Sequence, residues 1–204
     1  MSFVGKNYGF RPYFKDGMAG VNGYFFGIGA TTRLPGFFIS TPVRDKDNIV
    51  AVATTKIDLR PIEKTWTDAG EVIFVTNGDG VVILSSLNEW KYRALLPLNT
   101  QQLQRIDNQK QFADLAIRSL SDNLQVPDDE MEINGISYLH QSVEINDVNW
   151  RMHYLTPTSD VTQLAIITWA KSGSITLDRK STRLNSSHVV TSYAVFCLKK
   201  KKSH

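Results

Sequence analysis

The sequence predicts an α+β fold with antiparallel sheets arranged in two successive modules. Three observations lead there. β-rich runs such as Tyr24–Thr32, Gly36–Val43 and Ile49–Ile57 are separated by short turns rather than by the helix-length connections that parallel strands need. Helical periodicity is brief outside Thr100–Leu120 and Asp160–Lys171. The order strands, short helix, strands occurs twice without any strict repeat, which fits two related units in tandem. At 204 residues, 42% of them hydrophobic, the chain is long enough to bury a core in one or two domains.

In order, Phe10, Tyr13, Phe14 and Met18 fall at helical spacing. Pro12 is tolerated in the first turn, and Gly17 and Gly20 end the helix. Arg33-Leu34-Pro35-Gly36 and Asp45-Lys46-Asp47-Asn48 are turns between the first three strands, which form a meander. Leu59, Ile62 and Trp66 share one face of a short helix. Glu71–Val75 and Val81–Ser86 flank the turn Thr76-Asn77-Gly78-Asp79-Gly80 as a hairpin. Trp90–Leu98 is irregular, and Leu103, Ile106, Leu115 and Leu120 predict a helix over Thr100–Leu120. An acidic loop, Pro127–Glu132, leads to strands at Met131–Ile133, Ile136–Ile145 after the Asn134-Gly135 turn, and Trp150–Leu155. Pro157 closes the sheet, and a helix begins at Asp160 and runs to Lys171.

Charge is unevenly spread. The net charge of +3 conceals a segment 178–204 with seven Lys or Arg and one acid, which leaves 16 basic and 19 acidic residues in 1–177. A mildly acidic body with no basic stripe argues against nucleic acid as a partner. Lys180–Lys202 continues no earlier pattern and resembles translated adaptor read-through, so 178–204 is set aside as a non-native tail; the other reading is a basic tail for membrane or nucleic acid. Cys197, the only cysteine, lies in it, and a thiol-free body fits an oxidising compartment. The opening residues lack the apolar core of a signal peptide. Leu164–Ala170 falls short of the ~20 residues of a membrane span. The chain is expected to be a fragment at both ends.

Arg11 and Lys56 are the two cations embedded in the apolar or hydroxylic pieces of the first block. A buried charge is costly unless an opposite one meets it, so two cations in one cavity call for an anion with two heads. Plainer readings exist beside this one: Arg11 on a helix surface, Lys56 on the solvent face of its strand, and Thr31, Thr32 and Ser40 as ordinary strand residues. Gly27-Ile28-Gly29 lacks the third glycine and following helix of a dinucleotide fingerprint, and Asn77–Gly80 lacks calcium-loop spacing. His140 and His153 stand alone on strand-like segments and read as structural, with no metal set. Trp66, Trp90 and Trp150 read as core aromatics. No nucleophile, carboxylate pair or nucleotide motif suggests catalysis.

NYGFRPYF (7–14), YFFGIGATT (24–32), PGFFISTPV (35–43) and TTKIDL (54–59) closely resemble the extracytoplasmic region of the DctB family, the C4-dicarboxylate sensor histidine kinases of bacteria. The likeness continues through Trp66, VIFVTNGDGVVILSS (72–86) and EWKYRALLPL (89–98), and more loosely to WRMHYLTP (150–157), covering about residues 3–170. The resemblance implies a double-Cache (tandem PAS-like) sensor. Residues 1–67 would be the back half of the membrane-distal module, its opening helix and first strands lying upstream. Residues 68–157 would form the membrane-proximal module, and 158–177 a helix towards a membrane span.

Carried over, Arg11 matches the arginine gripping one carboxylate and Lys56 the lysine neutralising the other. Tyr13, Thr31, Thr32 and Ser40 match hydroxyl positions, and Phe26, Gly27, Gly29 and Phe38 the wall. An aspartate stands at the position of Lys56 in amino-acid-binding relatives, so lysine turns the expectation to a diacid such as succinate, fumarate or malate. The resemblance further implies a periplasmic sensor on an inner-membrane protein, a homodimer, a response regulator and possible contact with a dicarboxylate transporter. It implies no cofactor in this piece, ATP and Mg serving the kinase of the full-length parent. The same ectodomain on a chemoreceptor or a cyclic-dinucleotide enzyme is the alternative output, and a free periplasmic protein without a kinase is a third reading.

Overall fold

Three strands open the fold. In a computed structural model describing residues 5–121 and 129–159, β1 (Gly23–Ile28), β2 (Pro35–Asp45) and β3 (Asn48–Ile57) form an antiparallel meander in the order β1-β2-β3. All the described residues belong to one compact unit, Met1–Gln163. Helix α1 (Pro12–Met18) starts with Pro12 at its first position and with Arg11, in extended conformation, as its N-cap. It lies close on the sheet because glycines admit it. A Cβ on Gly17 would come within 2.5 Å of Val52, and one on Gly23 within 2.7 Å of the Tyr13 backbone.

β1 is shorter than Tyr24–Thr32. Gly29 N–H donates to Leu34 O (2.9 Å) and Arg33 N–H to Gly29 O (2.8 Å), so Gly29–Leu34 is a closed turn, with Arg33 at a positive φ.

After α2 (Arg60–Asp68), a five-stranded antiparallel sheet runs in the order β5-β4-β10-β9-β8, from β4 (Val72–Thr76), β5 (Val82–Ser85), β8 (Glu130–Ile133), β9 (Ile136–Ile145) and β10 (Trp150–Pro157). Asn134 and Gly135 both take positive φ between β8 and β9, as the dipeptide predicts. Pro157 is the last residue of β10 and closes the sheet as the sequence predicts. Two short strands, β6 (Arg93–Ala94) and β7 (Arg118–Ser119), pair in parallel. The α+β class with antiparallel sheets therefore holds, with this small exception. The helix expected over 160–171 and the tail 178–204 lie outside the described residues.

The largest departure is α3, which covers Thr100–Asn108 and not 100–120. It starts cleanly, Asn99 and Gln102 forming a reciprocal capping box. It then stops, because Lys110 and Ala113 adopt positive φ and Gln111 pairs elsewhere. Leu115 and Leu120 supplied helix-like spacing to a segment that tertiary contacts hold open.

Phe26 and Ile28 of β1 share a buried cluster with Val75, Ile83 and Phe112, so apolar packing joins the first sheet to the second. A second cluster of Phe74, Val82, Trp90, Met131, Ile133, Tyr138 and Leu155 fills the second sheet's own face. Glu63 pins α2 there, accepting Ser85 N–H (3.0 Å) and pairing with Lys91 (3.2 Å).

His140 and His153 are not alone. His140 Nε2 and His153 Nδ1 are 2.9 Å apart, His153 Nε2 lies 3.1 Å from Thr76 Oγ1, and His153 stacks on Phe74. Burial first, then the neighbouring His140 and Arg151, push the His153 pKa down to about 3. The folded protein therefore keeps His153 neutral, while the unfolded chain takes up a proton below about pH 6.5. The stability this contributes is complete above about pH 6.5 and is lost as pH falls towards 3, by about 1.4 kcal/mol per unit. Denaturant titrations between pH 7.5 and 4.5 check this: a His153→Gln variant should show a slope shallower by about one proton.

Candidate functional site

One face of the first sheet borders a half-open hollow. Strand alternation puts Gly36, Phe38 and Ser40 of β2 on the same side as Val52, Thr54 and Lys56 of β3, with Phe38 paired to Lys56 and Ser40 to Thr54. Helix α1 covers this face at one end, and the Gly29–Leu34 turn bounds it at the other. Between them lies a cavity of about 450 Å³ lined by Tyr8, Arg11, Tyr13, Phe14, Gly29, Ala30, Thr31, Thr32, Phe38, Val52, Thr54 and Lys56. That volume suits a small ligand. Among the described residues, Arg11 and Lys56 are the only charged ones in the lining.

Arg11 is only 2% exposed. Its Nη2 donates to Ile28 O (2.7 Å) and its Nη1 to Lys110 O (3.1 Å), while the guanidinium sits over the Phe10 and Phe25 rings. Among the described residues no carboxylate pairs with it. Burial lowers its pKa, a shift opposed by Tyr13 and Tyr8, and an arginine under such a shift remains cationic. Tyr13 titrates above its usual value, chiefly through burial, and so holds its proton. Its ring stacks on Phe38 at 5.1 Å.

Lys56 Nζ donates to Thr32 Oγ1 (3.1 Å) and Leu34 O (2.9 Å) and lies 5.7 Å from the Phe38 ring centre. Desolvation lowers its pKa, Asp58 opposing and Arg60 assisting. Two glycines give it room. A Cβ on Gly36 would stand 2.3 Å from Lys56 Cε, and one on Gly29 would stand 2.4 Å from Thr32 Oγ1. Thr31 shares a 2.7 Å hydrogen bond with Tyr8 OH.

Of the residues selected from sequence, Arg11, Tyr13, Gly29, Thr31, Thr32, Phe38 and Lys56 meet at this cavity. Phe26, Gly27 and Ser40 do not line it. Phe26 points through the sheet to Trp150, with ring centres 6.3 Å apart. Gly27 lies against Gln111, whose carbonyl would be 3.0 Å from an added Cβ. Ser40 is buried beneath α1 and donates to Tyr13 O (2.6 Å), so it anchors the helix carrying Tyr13. Thr31 and Thr32 contribute from the turn rather than from a strand. Tyr8, Phe14, Ala30, Val52 and Thr54 were missed. Val52 and Thr54 had a signal, standing four and two residues before Lys56 on a strand.

A second cavity of about 370 Å³, on the second sheet, includes Thr76, His140, Glu144, Arg151 and His153 in its lining. There Arg151 pairs with Glu144, so the charges cancel locally. No group of acidic, histidine or cysteine side chains among the described residues suits a metal ion.

An antiparallel sheet with one short helix closing a small cavity is the construction of a Cache, PAS-like sensor module. The particular likeness is to DctB, and the comparisons support the resemblance drawn from the sequence. The chain is 37% identical over 105 residues to the C4-dicarboxylate transport sensor protein DctB of Pseudomonas aeruginosa, covering 52% of this chain and 17% of that protein. It is 28% identical over 172 residues to the protein of the same name from Rhizobium meliloti, covering 76% of this chain and 27% of that one. The crystal structure of the V. cholerae histidine kinase DctB sensor domain superposes with a TM-score of 0.67 at 26% identity, over 76% of this chain and 63% of that one. The chain thus spans 17% and 27% of the two curated relatives. No protein-family model matches it. No helix among the described residues is long and apolar enough to cross a membrane.

Proposed function

We propose that this chain is the periplasmic sensor region of a membrane-bound two-component histidine kinase and that its first sheet binds a C4-dicarboxylate. One observation carries the reading: among the described residues, the cavity between α1 and β3 is lined by two charged residues, both cationic, and no acid. Arginine supplies a planar fork for one carboxylate and lysine a point charge for the other. Charge-assisted hydrogen bonds contribute about 1.5–3 kcal/mol each. Two of them with hydroxyl support reach the scale of micromolar affinity, about 8 kcal/mol. The names of the two curated relatives point the same way.

In this reading residues 1–67 belong to the ligand-binding distal module and 68–157 to the proximal one. Residues 158–177 lead to a membrane span, and 178–204 are non-native. ATP and Mg serve a kinase region elsewhere in the parent protein, which pairs as a homodimer and signals to a response regulator. Contact with a dicarboxylate transporter is a further proposed input. Succinate, fumarate and malate are the candidate ligands. The same ectodomain on a chemoreceptor or a cyclic-dinucleotide enzyme is the alternative output, decided by the sequence that follows it in the gene.

Calorimetry with succinate tests the pocket. Binding to the unaltered chain should be measurable in the micromolar range and should weaken at least about tenfold in Arg11→Lys, which keeps charge but loses the fork. No heat of binding, or an unaffected Arg11→Lys variant, sinks the reading.

A further inference from the structure

The outer edge of β1, away from β2, is not bare near the cavity. Ile28 N–H donates to Gln111 O (2.8 Å), and Gln111 Nε2 donates to Phe26 O (3.0 Å). Arg11 completes the seam, holding Ile28 O on one side and Lys110 O on the other. Gln111 is itself buried, and a side chain at Gly27 would press on its carbonyl. Beyond it, Asp114 pairs with Arg33 of the Gly29–Leu34 turn. Residues 110–114 follow α3 in the half of the chain that builds the second sheet, yet they touch the first sheet where its cavity begins.

We propose that Lys110 and Gln111 are positioning residues of the anion site, and that anion binding and the docking of 110–114 on β1 reinforce each other. This rests on the anion-binding reading above. An arginine carries five N–H donors. Two are occupied by the Ile28 and Lys110 carbonyls, so three remain, enough for a bidentate grip on one carboxylate without releasing either. The carbonyls thereby fix the guanidinium before any ligand arrives, and a fixed fork loses less freedom on binding. A bound carboxylate in turn holds Arg11 against Lys110. Such a coupling is reciprocal: whatever docking contributes to affinity, the ligand returns to docking. Occupancy of the first sheet's cavity is in this way felt by the segment joining α3 to β7.

Hydrogen exchange of the 204-residue chain, with and without succinate, together with calorimetry on Gln111→Ala, tests the proposal. The expected result is slower exchange in 26–28 and 110–114 on adding succinate, with β9 unchanged. Gln111→Ala should weaken succinate about fivefold or more, the lower end of measured couplings. Succinate that binds without altering exchange in 110–114, or that binds Gln111→Ala as well as the unaltered chain, overturns the coupling and leaves the anion site standing. No succinate binding to the unaltered chain removes both. The exchange comparison on the unaltered chain does not depend on whether the variant folds.

Discussion

Lys56→Glu is expected to weaken succinate at least about 100-fold, close to 3 kcal/mol. The change acts twice. It removes the ammonium that donates to Thr32 Oγ1 and Leu34 O, and a carboxylate cannot replace it because it has no proton to give the Leu34 carbonyl. It also brings a negative charge into a cavity whose proposed ligand carries two. Lys56 is partly exposed, so its pair with a carboxylate is screened, and repulsion inside the cavity supplies the rest. Lys56→Met separates the two effects by keeping the stem and removing the charge, and its affinity should fall between the other two. The lining left by Lys56→Glu, one cation and one anion, suits an amino acid better than a diacid. Equal succinate affinity in all three proteins would show that Lys56 plays no part in binding.

The largest effect on stability is expected from Phe112→Ala, which should cost about 3–5 kcal/mol. Phe112 is 1% exposed and packs with Phe26, Ile28 and Val75, with its ring 5.6 Å from that of Tyr92. Its loss leaves a void where the two sheets share their apolar cluster. For a domain with a total stability of roughly 5–15 kcal/mol, that is a large fraction. Urea denaturation measures it directly. A cost below about 1 kcal/mol would mean that the cluster repacks and that Phe112 does not hold the segment in place.

The first sheet was legible because each of its strands has apolar or β-branched stretches bounded by glycine, proline or aspartate turns. The cations stood out for being rare in such company. Which aromatic faces which side was less legible. In Tyr24-Phe25-Phe26 every residue is hydrophobic, so alternation gives no contrast, and Phe25, not Phe26, turns out to share a face with Phe38. Ser40 was read as a ligand hydroxyl, but its hydroxyl is taken up by the Tyr13 carbonyl, a contact that depends on where α1 lies. The end of α3 was hidden for a similar reason. Local spacing favoured a helix through Leu120, while the bonds that hold 110–114 open reach back to Phe26 and Ile28. Tyr8 was within a recognised stretch, yet its hydrogen bond to Thr31 depends on the turn closing already at Gly29, four residues before the Arg33–Gly36 turn that the sequence marks.

The bond from Arg11 to Lys110 joins positions 99 residues apart. A contact of such long range forms late, because closing a long loop costs entropy before the contact can repay it. During synthesis the first strands are therefore expected to emerge before the carbonyl that steadies Arg11, which lies 99 residues further along the chain. A chain cut at residue 67 keeps both cations but not the carbonyl that steadies one of them, so it is expected to be a poor stand-in for the unaltered chain in any binding assay.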